Sequence, residues 1–210
     1  MYKIEEIINK VIEGDCLEVM KDMPDKCVDL IIADPPYGIN FQSNYRQVKH
    51  QKIEGDNRFP VEVISEFHRL AKRAVYVFCR WDNLHELPKP KSVLAWVKNN
   101  WSMGDLLHEH GRQWEAICFY PQEEHKFIKR IPDAIYSDRT GNNLHPTEKP
   151  VDLIGKIINA NVGDIILDPF LGSGTTAVAA KQLSRNFIGI EISPEYCEIA
   201  RQRLKQEILL

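Results

Sequence analysis

Residues 164–180 read DIILDPFLGSGTTAVAA. An apolar run leads into Asp168 and Pro169, glycines follow at 172 and 174, and Thr175 opens a stretch of helix formers. The pattern predicts a strand over 164–167, a tight turn, and a helix over 175–183. Glycines in such a turn let the backbone come close to a ligand, because no Cβ stands in the way. Free amides at the start of the helix favour a negatively charged group. A further strand is expected over 187–192, where Glu191 offers a carboxylate able to accept from both hydroxyls of a ribose.

Three readings of this turn stand side by side. Gly172-Ser-Gly174-Thr-Thr-Ala177 fits the dinucleotide fingerprint G-x-G-x-x-G/A, with Glu191 at about the expected distance. The same letters fit a turn that holds S-adenosylmethionine, and they fit a glycine turn with no ligand. Position bears on the choice. Only 19 residues follow Glu191, so the other strands of its sheet are expected earlier in the chain. A dinucleotide-binding half normally opens its domain, whereas a methyltransferase sheet accepts circular permutation with the cofactor strand placed late.

Working outward, residues 10–13 read as a short strand ending at Gly14 and Asp15. Leu17, Met20 and Met23 then recur at helical spacing until Pro24. The run VDLIIA at 28–33 is continuously apolar, as in a strand buried on both faces of a parallel sheet. Residues 41–59 are polar and aperiodic and read as a loop. A helix is expected over 61–70, strands over 74–79, 92–97 and 115–120, and loops over 121–144. Pro150 suits the first position of a helix over 151–159. Ser193, Pro194 and Glu195 open the last helix with a cap, an N1 proline and an early acid. The alternation predicts one α/β domain over 1–210, a mostly parallel twisted sheet with helices on both faces. Ligands in such folds bind at the carboxyl ends of the strands, and Asp15, Asp34, Asp168 and Glu191 all fall there.

Asp34-Pro35-Pro36-Tyr37 follows the 28–33 strand directly. The amino nitrogen of adenine is a poor nucleophile, because its lone pair is delocalised into the ring. A carboxylate and a carbonyl accepting from its two N–H bonds would hold it in line with a reactive methyl group. Asp34 supplies the carboxylate. The Pro35 carbonyl is the natural second acceptor, since consecutive prolines fix the backbone. Tyr37 offers a ring on which a base swung out of the duplex can stack. The competing reading is a strand ending in a proline turn. Asp34 is expected to face an open crevice, so that truncating it leaves no buried partner.

Composition narrows the class. Hydrophobic residues make up 43% and charged residues 27%, as in soluble globular domains. No run approaches the roughly 18 apolar residues of a membrane span, and the segment MYKIEEIINK has no signal-peptide core, so a cytoplasmic location is expected. Cys16, Cys27, Cys79, Cys118 and Cys197 are scattered without a CxxC pair, which argues for reduced thiols and against a metal site. The net charge of −3 conceals local basic clusters. Arg46, Lys49 and Lys52 form one, and residues 69–101 carry seven bases against two acids. Such clusters suit a nucleic acid, or simply a solvated face.

Several stretches together resemble the amino-methyltransferases of DNA, in particular their circularly permuted beta class. These are GDCLEVM (14–20), VDLIIADPPYG (28–38), HPTEKPVDLI (145–154), the opening stretch at 164–180, and FIGIEISPEYCEIA (187–200). They span nearly the whole chain in that group's order. The resemblance implies a Rossmann-like S-adenosylmethionine-dependent methyltransferase fold and adenine-N6 methylation of double-stranded DNA, as in restriction-modification. It implies that Asp34, Pro35, Pro36 and Tyr37 handle the target base. Asp168, Phe170, Gly172 and Gly174 would border the cofactor, Thr175 and Lys149 hold its methionine part, Glu191 its ribose and Asp15 its adenine. Cytosine-N4 members of the group usually carry Ser at the position of Asp34, and enzymes methylating protein glutamine usually carry Asn.

The resemblance also implies a departure. Members with a defined recognition sequence have a larger target-recognition insertion, whereas only about residues 98–144 are available here. Either that segment reads a short site, or specificity is relaxed, or a homodimer or partner supplies contacts. Trp101, Arg112, Trp114, Tyr120, Lys126, Lys129 and Arg130 are the DNA-facing candidates there, with core packing favoured for Trp114 and Tyr120. Methylation of RNA, nicotinamide-dependent oxidoreduction and a silent DNA-binding relative are the competing functions.

Overall fold

The computed structural model describes residues 2–39, 57–102, 107–108, 110–141 and 147–206. Most of the loop expected at 41–59, with Arg46, Lys49 and Lys52, lies outside the described residues. So do residues 142–146 of the 145–154 stretch and its approach.

Strands are β1 (Lys10–Glu13), β2 (Val28–Ala33), β3 (Ala71–Cys79), β4 (Ser92–Ser102), β5 (Arg112–Pro121), β6 (Ala134–Tyr136), β7 (Ile165–Asp168) and β8 (Asn186–Glu191). Helices are α1 (Ile4–Ile7), α2 (Cys16–Lys21), α3 (Val63–Leu70), α4 (Val151–Ala160), α5 (Thr175–Gln182) and α6 (Pro194–Lys205). The strands form one sheet in the order β1-β8-β7-β2-β3-β5-β4-β6. It is parallel from β1 to β3, β5 runs antiparallel to both β3 and β4, and β6 is parallel to β4. The mostly parallel sheet is as expected, and the late strands β7 and β8 do join strands from earlier in the chain, lying between β1 and β2.

Period-two alternation sorts the strand residues into two cores. Ile31, Val75, Val77 and Cys118 pack under α1, α2 and α3 with Met20, Phe67 and Leu70. Leu30, Ile32, Tyr76, Phe78 and Ile117 pack on the other face under α4, α5 and α6 with Ile154, Ile157 and Ala180. Each core is thus a sheet face covered by three helices.

This division places the site. The connection from β2 to β3 runs through α3 on one face, and that from β7 to β8 runs through α5 on the other. Right-handed crossovers that leave two neighbouring parallel strands in opposite directions must lie on opposite faces. A crevice therefore opens where β7 and β2 lie side by side, at their carboxyl ends. Asp34 and Asp168 stand at those two ends.

Where observed elements differ from expectation, neighbouring strands explain it. β4 and β5 extend to Ser102 and from Arg112 because they pair with each other. Much of the 98–144 segment is therefore sheet, and β6 emerges from the expected loops because Ala134–Tyr136 pairs with β4.

Candidate active site

A cleft of about 710 Å³ lies at the carboxyl ends of the parallel strands. Asp15, Asp34, Pro35, Pro36, Tyr37, Lys149, Asp168, Phe170, Gly172, Thr175 and Glu191 all line it. Gly174, the remaining candidate, is not among the lining residues. It caps α5 in the left-handed conformation, with its Cα turned toward Ala200 of α6.

The β1–β8–β7 side of the cleft is built on carboxylates held by backbone amides. Glu191 Oε2 accepts from Gly172 N at 2.7 Å and Oε1 from Ser193 N at 2.9 Å, which joins the glycine turn to the start of α6. Asp15 is the N-cap of α2, its Oδ1 accepting from Leu17 N and Glu18 N at 2.9 and 3.1 Å. Asp168 Oδ1 accepts from Phe170 N at 3.0 Å and so shapes the start of the turn. Burial, stronger than its hydrogen bonds with Thr176 and Phe170, pushes the Asp168 pKa up to about 7.

The β2 side is a chain of alternating charge. Asp34 Oδ2 accepts from Lys149 Nζ at 2.6 Å, and Asp34 Oδ1 from the Tyr37 hydroxyl at 2.7 Å. Glu115 Oε2 lies 3.2 Å from the same hydroxyl and 3.4 Å from Lys149 Nζ. Glu115 Oε1 is paired with Lys98, whose ammonium lies over the Trp96 ring at 4.8 Å from the centroid. Lys149 is only 6% exposed and is flanked by the Phe78 and Tyr37 rings at 5.3 and 5.4 Å. Burial raises the Asp34 pKa, and Glu115 adds to the rise against the pull of Lys149. At Glu115, burial is outweighed by Lys149 and Lys98, which hold its pKa at about 2. Burial, which would lower the Lys149 pKa, is overcome by Asp34 and Glu115, and the ammonium is held charged.

The backbone around Asp34-Pro35-Pro36-Tyr37 is clamped from outside. Asn83 Nδ2 donates to the Tyr37 carbonyl at 3.3 Å. Gly38 has φ +76°, and a Cβ there would stand 2.9 Å from the Arg58 backbone, so the chain turns away after Tyr37 only with glycine.

Residues 95–202 match the family model N6_N4_Mtase, described as DNA methylase. The chain belongs to this DNA methylase family. It is similar to the type II methyltransferase M.BglII of Bacillus subtilis, at 28% identity over 95% of this chain and 70% of that protein. It is likewise similar to the type II methyltransferase M.HinfI of Haemophilus influenzae, at 26% identity over 97% and 70%. Among solved structures, the M1.HpyAVI–SAM complex superposes with a TM-score of 0.72 at 28% identity, covering 92% of this chain and 98% of that one. The cytosine-N4-specific PvuII DNA methyltransferase shares the fold, with a TM-score of 0.68 at 16% identity over 95% and 87%.

Three residues of this DNA methylase's site escape the sequence reading: Glu115, Lys98 and Asn83. A signal for the first two exists. Glu115 has the phase of Ile117 and Phe119, and Lys98 that of Leu94 and Trp96, all of them core residues. A charge in the core phase of a buried strand needs a partner. Nothing in the letters announces Asn83.

The DNA-facing candidates divide between the two ends of the sheet. Trp101 and Trp114 are 65% and 45% exposed, and with Arg112 they sit where β4 ends and β5 begins, the cleft end. Trp114 is thus not the core residue expected, whereas Tyr120 is buried at 5%. Lys126 and Lys129 hydrogen-bond through their backbones to Val162 and Ala160, beside the start of β7. They and Arg130 therefore stand at the end remote from the cleft. Among the described residues no helix is long and apolar enough to cross a membrane.

Proposed function

We propose that this DNA methylase transfers the methyl group of S-adenosylmethionine to the N6 amino group of adenine in double-stranded DNA. The observation that carries the reading is the juxtaposition of Asp34 and Pro35, just past the end of β2, with the Glu191, Gly172 and Phe170 side of one cleft.

The residues present fit the cofactor. Glu191 would take its ribose hydroxyls, since its carboxylate lines the cleft beside the glycine turn. Asp15 would take the adenine, and Thr175 the methionine part at the start of α5. When bound, the cofactor supplies an electrophilic methyl group on a sulfonium centre.

Asp34 and the Pro35 carbonyl then accept from the two N–H bonds of the target amino group and fix its orientation. Positive charge grows on that nitrogen during transfer, so these acceptors act mainly on the rate. The Tyr37 ring stacks on the displaced base, worth about 1–3 kcal/mol. Trp101, Trp114 and Arg112 at the cleft end are the described residues placed to meet the duplex, and residues 98–144 supply what recognition there is.

The test is transfer of labelled methyl to duplex DNA, with the modified bases separated by chromatography. Label on N6-methyladenine is expected, and label on cytosine would overturn the substrate.

A further inference from the structure

Both oxygens of Asp34 are already engaged, one by Lys149 and one by Tyr37, at 2.6 and 2.7 Å. A target amino group held by this carboxylate competes with both of them for its lone pairs. Lys149 is buried at 6% exposure, among the rings of Phe78, Tyr37 and Trp96. Water cannot readily replace its partner there, and a buried ammonium stripped of its carboxylate is strongly disfavoured.

Glu115 offers a second partner to both Lys149 and Tyr37. Its Oε2 lies 3.2 Å from the Tyr37 hydroxyl and 3.4 Å from Lys149 Nζ. Its other oxygen is tied to Lys98, which is itself held against Trp96, so the carboxylate stays in place while its neighbours shift. Along the chain Asp34, Lys149, Glu115, Lys98 the charges alternate and cancel.

We propose that Glu115 is a positioning residue for methyl transfer. As the target amino group engages Asp34, Glu115 takes over Lys149 and the hydrogen bond from the Tyr37 hydroxyl, and no buried charge is left unpaired. No covalent bond changes. The Tyr37 proton stays on its oxygen and turns from one carboxylate to the other. The proposal rests on the reading of Asp34 as the carboxylate that holds the target nitrogen.

Glu115→Gln keeps the shape and removes the charge. At saturating cofactor and DNA, the rate of methyl transfer should fall on the order of 10–100-fold. S-adenosylmethionine affinity by calorimetry and duplex affinity, which phosphate contacts dominate, should stay within about threefold. A plain counter-ion to Lys98 makes a different forecast for Glu115→Gln/Lys98→Met, in which the charges cancel again: folding and rate would recover together. The hand-over requires this double variant to fold and remain slow, and it decides alone should the single variant fail to fold. A fast single variant, or a recovered double variant, overturns the role of Glu115. Wild-type protein that places no label on adenine overturns instead the reading beneath it.

Discussion

Asp34 and Lys149 form an ion pair of 2.6 Å between groups 115 positions apart in the chain. Asp34 therefore does not stand alone in an open crevice, as its place after a strand had suggested. Asp34→Ala leaves Lys149 with Glu115 at 3.4 Å as its remaining carboxylate, and a stability loss of about 1–3 kcal/mol is expected. Asp34→Asn keeps an acceptor and should lose less. Both should abolish methyl transfer. Urea denaturation beside the labelled-methyl assay checks the pair of effects, and an active Asp34→Ala protein would remove Asp34 from the chemistry.

Glu191 links two backbone amides on the proposed cofactor side, Gly172 N and Ser193 N, at 2.7 and 2.9 Å. Glu191→Ala deprives both of their acceptor, at about 1–3 kcal/mol for each group left unsatisfied, and loosens the turn between β7 and α5. It should weaken S-adenosylmethionine binding more than Asp34→Ala does, because the proposed role of Asp34 is toward the target base. Calorimetry on the two variants decides, and equal affinities would contradict the division of roles.

These two residues were legible in the sequence for a physical reason. Both terminate runs of buried β-residues, and side chains at the carboxyl ends of parallel strands open into the ligand crevice. The strand-turn-helix at 164–180 was legible because glycines and helix formers follow each other within a few residues. What stayed hidden depends on partners distant in sequence. Glu115 makes sense only beside Lys149, Tyr37 and Lys98. The placement of Lys126 and Lys129 away from the cleft follows from the antiparallel direction of β5, which no local pattern encodes.

Asp168 should impose a pH dependence on stability. Its carboxyl titrates near 4 in an unfolded chain, and burial raises it to about 7 in the fold. The folded state therefore keeps a proton that the unfolded state gives up. The contribution is full below about pH 4 and is lost as the pH climbs to about 7. Asp168→Asn removes the charge while keeping an acceptor for the Phe170 amide. Relative to wild type, the variant should gain stability through this window, by a few kcal/mol in all, and then level off. Urea midpoints of both proteins from about pH 4 to about pH 8 measure the difference, and a constant offset would refute the raised value.

Gly174 serves the packing of the turn, and its replacement should unfold the protein before it disturbs the chemistry. Its φ of +91° lies in the left-handed region, which costs a residue with a Cβ about 1–2 kcal/mol. The added Cβ would also stand 2.9 Å from the Cβ of Ala200, which is fully buried on α6. Overpacking of that kind adds about 1–3 kcal/mol. Gly174→Ala should therefore lower the melting temperature by roughly 5–15 °C, with S-adenosylmethionine affinity of the folded protein little changed. The two costs separate in a double-mutant cycle. Ala200→Gly removes the steric contact but not the backbone strain, so it should recover about 1–2 kcal/mol in the Gly174→Ala background, beyond its own effect in wild type. A melting temperature unmoved by Gly174→Ala, or a cycle without coupling, would show that the contact with α6 does not hold the turn.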